Sequence, residues 1–144
     1  MVTSEIKEKI SREHPYEDAC KLLKIAPVAN YKSYKLSDET RNFIKLETVA
    51  KALNQGWKPD LSERSTVRYY PWAYVYTDNR KTDKSAGLLY LGSSGALGGS
   101  YAGVGTSLEI RNRELCQYFI EICKKEIIFH LTGKDEADKY EFRF

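Results

Sequence analysis

Tyr69-Tyr70-Pro71-Trp72-Ala73-Tyr74-Val75-Tyr76 packs five aromatics into eight residues, and its reading decides the fold. Aromatic and β-branched side chains suit the pleated, half-buried surface of a strand. Pro71 has no N–H to donate and belongs at a strand's start or edge; beyond it Ala73 and Val75 point one way while Tyr74 and Tyr76 point the other. Asp78-Asn-Arg-Lys-Thr-Asp-Lys-Ser85 is polar enough for a hairpin loop, so Ala86-Gly-Leu-Leu-Tyr-Leu91 reads as the returning strand. Thr106-Ser-Leu-Glu-Ile-Arg111 reads as a third, and the tail Tyr140-Glu-Phe-Arg-Phe144 either adds an edge strand or packs its aromatics on the domain. The expected fold class is α+β, an antiparallel meander of three or four strands covered by helices.

The helices flank this stretch. Pro15 suits the first position of a short helix that runs to Lys24 with Ala19, Leu22 and Leu23 on one face, and ends near Pro27. Ser37 is a good N-cap; Asp38 and Glu39 follow where the dipole favours acids, then Phe43, Leu46, Ala50 and Leu53 fall at helical spacing before Gly56 stops the run. Asn112 caps a helix whose apolar face is Leu115, Cys116, Phe119, Ile120, Cys123 and Ile127, ending at Gly133. The chain of 144 residues is read as a single domain over 1–144, in which 1–35 is a helical segment packed on the α+β core.

Composition excludes more than it selects. The 42% hydrophobic and 30% charged content is that of an ordinary globular chain, and no apolar run approaches the roughly 20 residues that span a bilayer. The first ten residues mix acids and bases without an apolar centre, so no secretory signal is expected and a cytoplasmic location is the default. Cys20, Cys116 and Cys123 lie in helical patterns without a Cys-x-x-Cys pair or a neighbouring His, which argues for buried thiols and against a metal site. His14 and His130 belong to no nucleophile or metal motif. A net charge of +3 with interspersed acids permits contact with nucleic acid without arguing for it.

Six of the nine glycines fall between Gly92 and Gly105. Such a run is either a backbone cradle for a ligand or an exposed hairpin tip. It contains no Walker phosphate loop, and Gly103-x-Gly105 precedes a strand where a dinucleotide fingerprint would precede a helix. No catalytic residue, metal or cofactor is therefore assigned. The expected binding residues are Gly98, Gly99, Ser100 and Tyr101 of the loop, the cations Arg68, Arg111 and Arg113, and the stacking rings Trp72 and Tyr74.

Lys45 to Asp60 with its Asn-Gln-Gly-Trp-Lys-Pro centre, the Tyr69-Tyr-Pro-Trp72 element, Ser107 to Phe119, and Tyr16-Glu-Asp-Ala-Cys20 together resemble a family of small uncharacterised proteins encoded by Bacteroidetes phages and prophages. The resemblance covers most of the chain. It implies a phage context, hence the host cytoplasm, and carries no catalytic residues. The expectation is a non-enzymatic binding protein that sequesters a small anionic or nucleotide-like ligand as an anti-defence sponge, acting as a homo-oligomer without a membrane. Two alternatives stand beside it: single-stranded nucleic-acid binding by the aromatic and basic surface, and a virion or assembly role.

Overall fold

A computed structural model of the chain describes residues 2–60, 62, 67–72, 89–90, 108–140 and 142, with 89–90 described by their backbone alone. It corrects the expected class: the protein is mostly helical. In chain order come α1 (Thr3–Lys9), α2 (Pro15–Leu23), a 3-10 turn (Val28–Asn30), α3 (Asp38–Asn54), β1 (Pro71–Trp72), β2 (Leu89–Tyr90), α4 (Arg113–Ile122), α5 (Lys124–Thr132) and a 3-10 turn (Ala137–Lys139).

Local chemistry sets the helix ends. Pro15 occupies the first turn of α2, whose N–H groups need no intrahelical partner, and Lys24 closes it in the left-handed region at φ 57°. Ser37 caps α3 by accepting the Thr40 N–H at 3.1 Å. Gln55 and Gly56, at φ 48° and 83°, turn the chain away from its other end. Asn112 caps α4 through the Leu115 N–H at 2.8 Å, and Gly133 ends α5 at φ 74°, a conformation open to glycine at little cost.

Helix α3 is the hub, packing against α2, α4, α5 and the Val28–Asn30 turn. Leu46, Val49, Ala50 and Leu53 are sealed on one side of it and meet Leu115, Phe119, Ile120 and Ile127 in a single apolar cluster. Each such side chain contributes about 1.5–3 kcal/mol on full burial. Short α1 adds Ile6, with Ile10 just beyond it, and is fastened to α4 through Tyr118, whose hydroxyl donates to the carbonyls of Lys7 (3.1 Å) and Ile10. Salt bridges Lys7–Glu114 (2.8 Å) and Arg12–Glu121 (2.9 Å) flank that ring. Among the described residues no helix is long and apolar enough to cross a membrane.

Two further corrections concern connectivity. The segment from Asn112 to Gly133 is two helices, because the backbone leaves helical geometry at Cys123 (φ −118°, ψ 25°). The bend lets α4 and α5 each lay an apolar face on α3. Antiparallel pairing among the described residues is confined to Pro71–Tyr90 and Trp72–Leu89, plus one bridge between Tyr69 and Ile110. In a meander the third segment would pair with the second; here Ile110 pairs with the first. Aromatic and β-branched content identified strand-compatible residues, but it sets neither the length of a ladder nor its order, and the buried apolar area belongs to the helices. The expected strand residues 73–76, 86–88, 91 and 106–107 lie outside the described residues. In the tail, Tyr140 packs on the core, and the Lys124 ammonium donates to its carbonyl.

Candidate ligand-binding site

The Tyr69–Ile110 bridge organises the site. Its two hydrogen bonds, Ile110 N–H to the Tyr69 carbonyl (2.8 Å) and Tyr69 N–H to the Ile110 carbonyl (3.2 Å), define the register. Directly opposed residues share a face, and their neighbours lie on the other. Tyr69, Pro71 and Ile110 therefore turn to the helical core, while Arg68, Tyr70 and Trp72 from one segment and Glu109 and Arg111 from the other share the opposite face. Three of the expected binding residues, Arg68, Trp72 and Arg111, are thus brought together. Arg113 is exposed in the first turn of α4, beyond the cap. Tyr74, Gly98, Gly99, Ser100 and Tyr101 lie outside the described residues.

Asn54, the last residue of α3, holds this segment from its other edge. Its carboxamide donates to the Glu109 carbonyl at 2.7 Å and accepts the Arg111 N–H at 3.0 Å. That is the pairing one residue of a parallel strand would make to either side of Ile110, supplied here by a side chain. Four backbone groups from Glu109 to Arg111 are satisfied within a buried setting, where each unmade bond would cost about 1–3 kcal/mol.

Behind this frame sits a buried ion pair. Arg68 Nε approaches Glu109 Oε2 at 3.1 Å, with both side chains 2% exposed. The contact is electrostatic rather than a well-aimed hydrogen bond, since the Nε–H is not directed at that oxygen. Burial pushes the Glu109 carboxyl above its ordinary range, and the Arg68 charge opposes it. Half-buried Arg111 lies across from Arg68, and its Nε is buried without a hydrogen-bond acceptor. Arg111 and Arg113 also flank the α4 N-cap, where the helix dipole is already positive. Guanidinium groups at a helix N-terminus are suited to an anion, in competition with the carboxylates beside them, Glu109 and, in the first turn of α4, Glu114.

Other groups are less suited to chemistry. All three cysteines are free and buried, and burial raises each thiol, so they are poor nucleophiles. An open groove of about 250 Å³ is lined by Lys9, Asp18, Lys21 and Leu22. Its carboxylate is held low by Ser11, whose N–H it accepts at 2.8 Å. Among the described residues no cluster of three His, Cys, Asp or Glu could hold a metal ion.

Sequence reading passed over Glu109 and Asn54. Asn54 looks like an ordinary helix end before Gln-Gly, and nothing in its spacing announces a bond 55 residues away. Glu109 alternates with Leu108 and Ile110 and so resembles a solvent-facing strand residue. No family model, no curated protein and no solved structure matches the chain.

Proposed function

We propose that the protein is a non-enzymatic binding module for a small anionic, nucleotide-like ligand, held by Arg111 and Trp72 with Arg68 buried behind them. One observation carries the reading: half-buried Arg111 keeps a buried Nε–H without an acceptor, beside the positive end of α4. A buried donor left unmade costs about 1–3 kcal/mol, a cost that a phosphate or carboxylate oxygen would remove. The indole of Trp72, half-buried on the same face, offers a stacking surface for a base. Sequestration of a nucleotide signal in the host cytoplasm of a phage-infected cell is the setting this proposal adopts from the sequence resemblance, and the homo-oligomer is taken from the aromatic-rich sequence rather than from that resemblance.

Native mass spectrometry after incubation with a pool of mono-, di- and cyclic nucleotides tests it. A discrete added mass at fixed stoichiometry is expected for the wild type, reduced by Arg111→Lys and lost in Arg111→Ala, because an ammonium keeps the charge but not the planar fork. A protein that stays bare across the pool, or an Arg111→Ala variant that binds like the wild type, overturns the assignment.

A further inference from the structure

A second surface lies on the opposite side of α3 in sequence, in Tyr31-Lys32-Ser33-Tyr34-Lys35. All five residues are exposed, the two tyrosines at 39% and 47%, with ring centroids 5.6 Å apart and planes tilted by 52°. Exposed rings are commonplace; a backbone fixed so firmly beneath them is not. Arg41 of α3 donates through Nη1 to the carbonyls of Ala29 (2.8 Å) and Tyr31 (3.2 Å), and through Nη2 to that of Tyr34. The Tyr31 N–H bonds to the Val28 carbonyl (3.1 Å) and the Tyr34 N–H to the Tyr31 carbonyl (3.2 Å), while the Tyr34 carbonyl also accepts from Leu36 (2.9 Å). From α2, the Tyr16 hydroxyl accepts the Ala29 N–H at 3.1 Å and Glu17 accepts from the Asn30 amide at 2.9 Å.

The main-chain polar groups of both tyrosines are thus engaged with the protein, whereas the rings and the two lysines stand outside. A loop already ordered this way loses little further entropy on binding. Two aromatic-basic pairs at an interval of three residues match what a flexible polyanion with flat bases requires: a π-face for each base and an ammonium beside it for each phosphate. The nearby acids Asp38 and Glu39 lie in the first turn of α3, where the helix dipole engages them.

We infer that the loop 31–35 is a stacking platform for single-stranded nucleic acid, with Tyr31 and Tyr34 against successive bases and Lys32 and Lys35 on the phosphates. This surface is separate from the arginine face and does not depend on it. Fluorescence anisotropy of labelled oligo-dT, at about 50 mM salt where phosphate contacts are strong, is the test. The wild type is expected to bind saturably. Tyr31→Ala with Tyr34→Ala should weaken binding by about tenfold or more, while the corresponding double Phe variant, which keeps the rings, should bind as the wild type does. Lys32→Ala with Lys35→Ala should lower the slope of log affinity against log salt by about 1.4, as expected for two fewer contacts to a single strand. Because the rings are exposed, the Ala variants should keep the wild-type melting temperature and circular dichroism. A wild type that does not bind overturns the proposal, as does a folded double Ala variant with unchanged affinity. Loss of binding in Arg111→Ala alone would move the contact to the arginine face and overturn it equally.

Discussion

Between α3 and α4 the buried side chains Leu46, Val49, Leu53, Leu115, Phe119 and Ile120 are all apolar, whereas at Glu109 the protein seals Asn54, Arg68 and Glu109 away from water. Both regions are equally dry. They differ in what a substitution leaves behind. In the helical core, exchanging one aliphatic side chain for another of similar volume costs less than about 1.5 kcal/mol, because dispersion is not directional and neighbours can shift. At the polar knot each group meets specific polar partners, so removing a member leaves those partners in an environment with no water to take its place. Stability in one region is spread over many contacts, and in the other it is concentrated in a few.

The largest effect that would sharpen this contrast is expected from Arg68→Ala. Loss of one partner from a buried pair costs about 3–5 kcal/mol, whereas a well-packed apolar pair, Arg68→Met with Glu109→Leu, should restore most of that. Urea denaturation of the single and double variants is the measurement. The pH dependence carries a second signature. The native state holds the Glu109 proton more tightly than the unfolded chain does, so this carboxyl's favourable contribution is present below pH 4.5 and lost as pH rises through its higher folded value. Without Arg68 that value moves further up. The deficit of Arg68→Ala relative to wild type should therefore grow as pH rises above 4.5, and a constant deficit would mean that Glu109 does not feel the Arg68 charge.

Next comes Asn54→Ala, which strips the Glu109 carbonyl and the Arg111 N–H of their partner together. A loss of about 2–4 kcal/mol is expected from two buried groups left unmade. Hydrogen exchange would separate this from a general loosening. The Arg111 amide should lose protection in the variant while the amides of α4 keep theirs, and uniform loss across both would show that the latch and the helical core are one cooperative unit. Smaller again are the caps: Ser37→Ala and Asn112→Ala should each cost about 1 kcal/mol by thermal or chemical denaturation, since each removes one side-chain acceptor from a helix end that water can partly satisfy.

The same contrast explains what could be read in the sequence. Caps and stops are local chemistry, so Ser37, Gly56, Asn112, Gly133 and Pro15 marked helix ends correctly from the residue type alone. The apolar face from Leu115 to Ile127 was legible because burial repeats with the helical period. Within the segment 1–35, expected to be helical, the bounds of α1 were not marked, since seven residues with one buried side chain, Ile6, offer too short a period. Cys123 carries no Pro or Gly to announce the bend. The pairing of Ile110 with Tyr69, and Asn54 with both sides of Ile110, is set by contacts between distant segments, and no local pattern encodes which of several compatible partners is chosen. Of the proposed binding residues, Arg68, Trp72 and Arg111 were legible by chemical type. Their common face followed from the register, and Glu109 could be assigned its role only once that register was known.

The smallest expected effect belongs to the helical region, and its sign is opposite to that at Glu109. His130, in the last turn of α5, sits with its ring 5.8 Å from that of Phe43 on α3, and burial lowers its pKa below the ordinary 6.5. Desolvation disfavours the imidazolium, so the unfolded chain takes up this proton first as pH falls. The stability His130 contributes is therefore present above pH 6.5 and lost as pH drops through its folded value. Because much of the ring remains in water, the change should be visible in the titration rather than in the melting curve. An NMR titration of the imidazole should give a midpoint below 6.5, and Phe43→Ala, by opening the apolar side of the ring to solvent, should move it back up. A midpoint that Phe43→Ala leaves in place would assign the desolvation to the body of α5 and not to its contact with α3. In that case the packing of α5 on α3 would have to be probed at sealed residues such as Ile127 or Ile128.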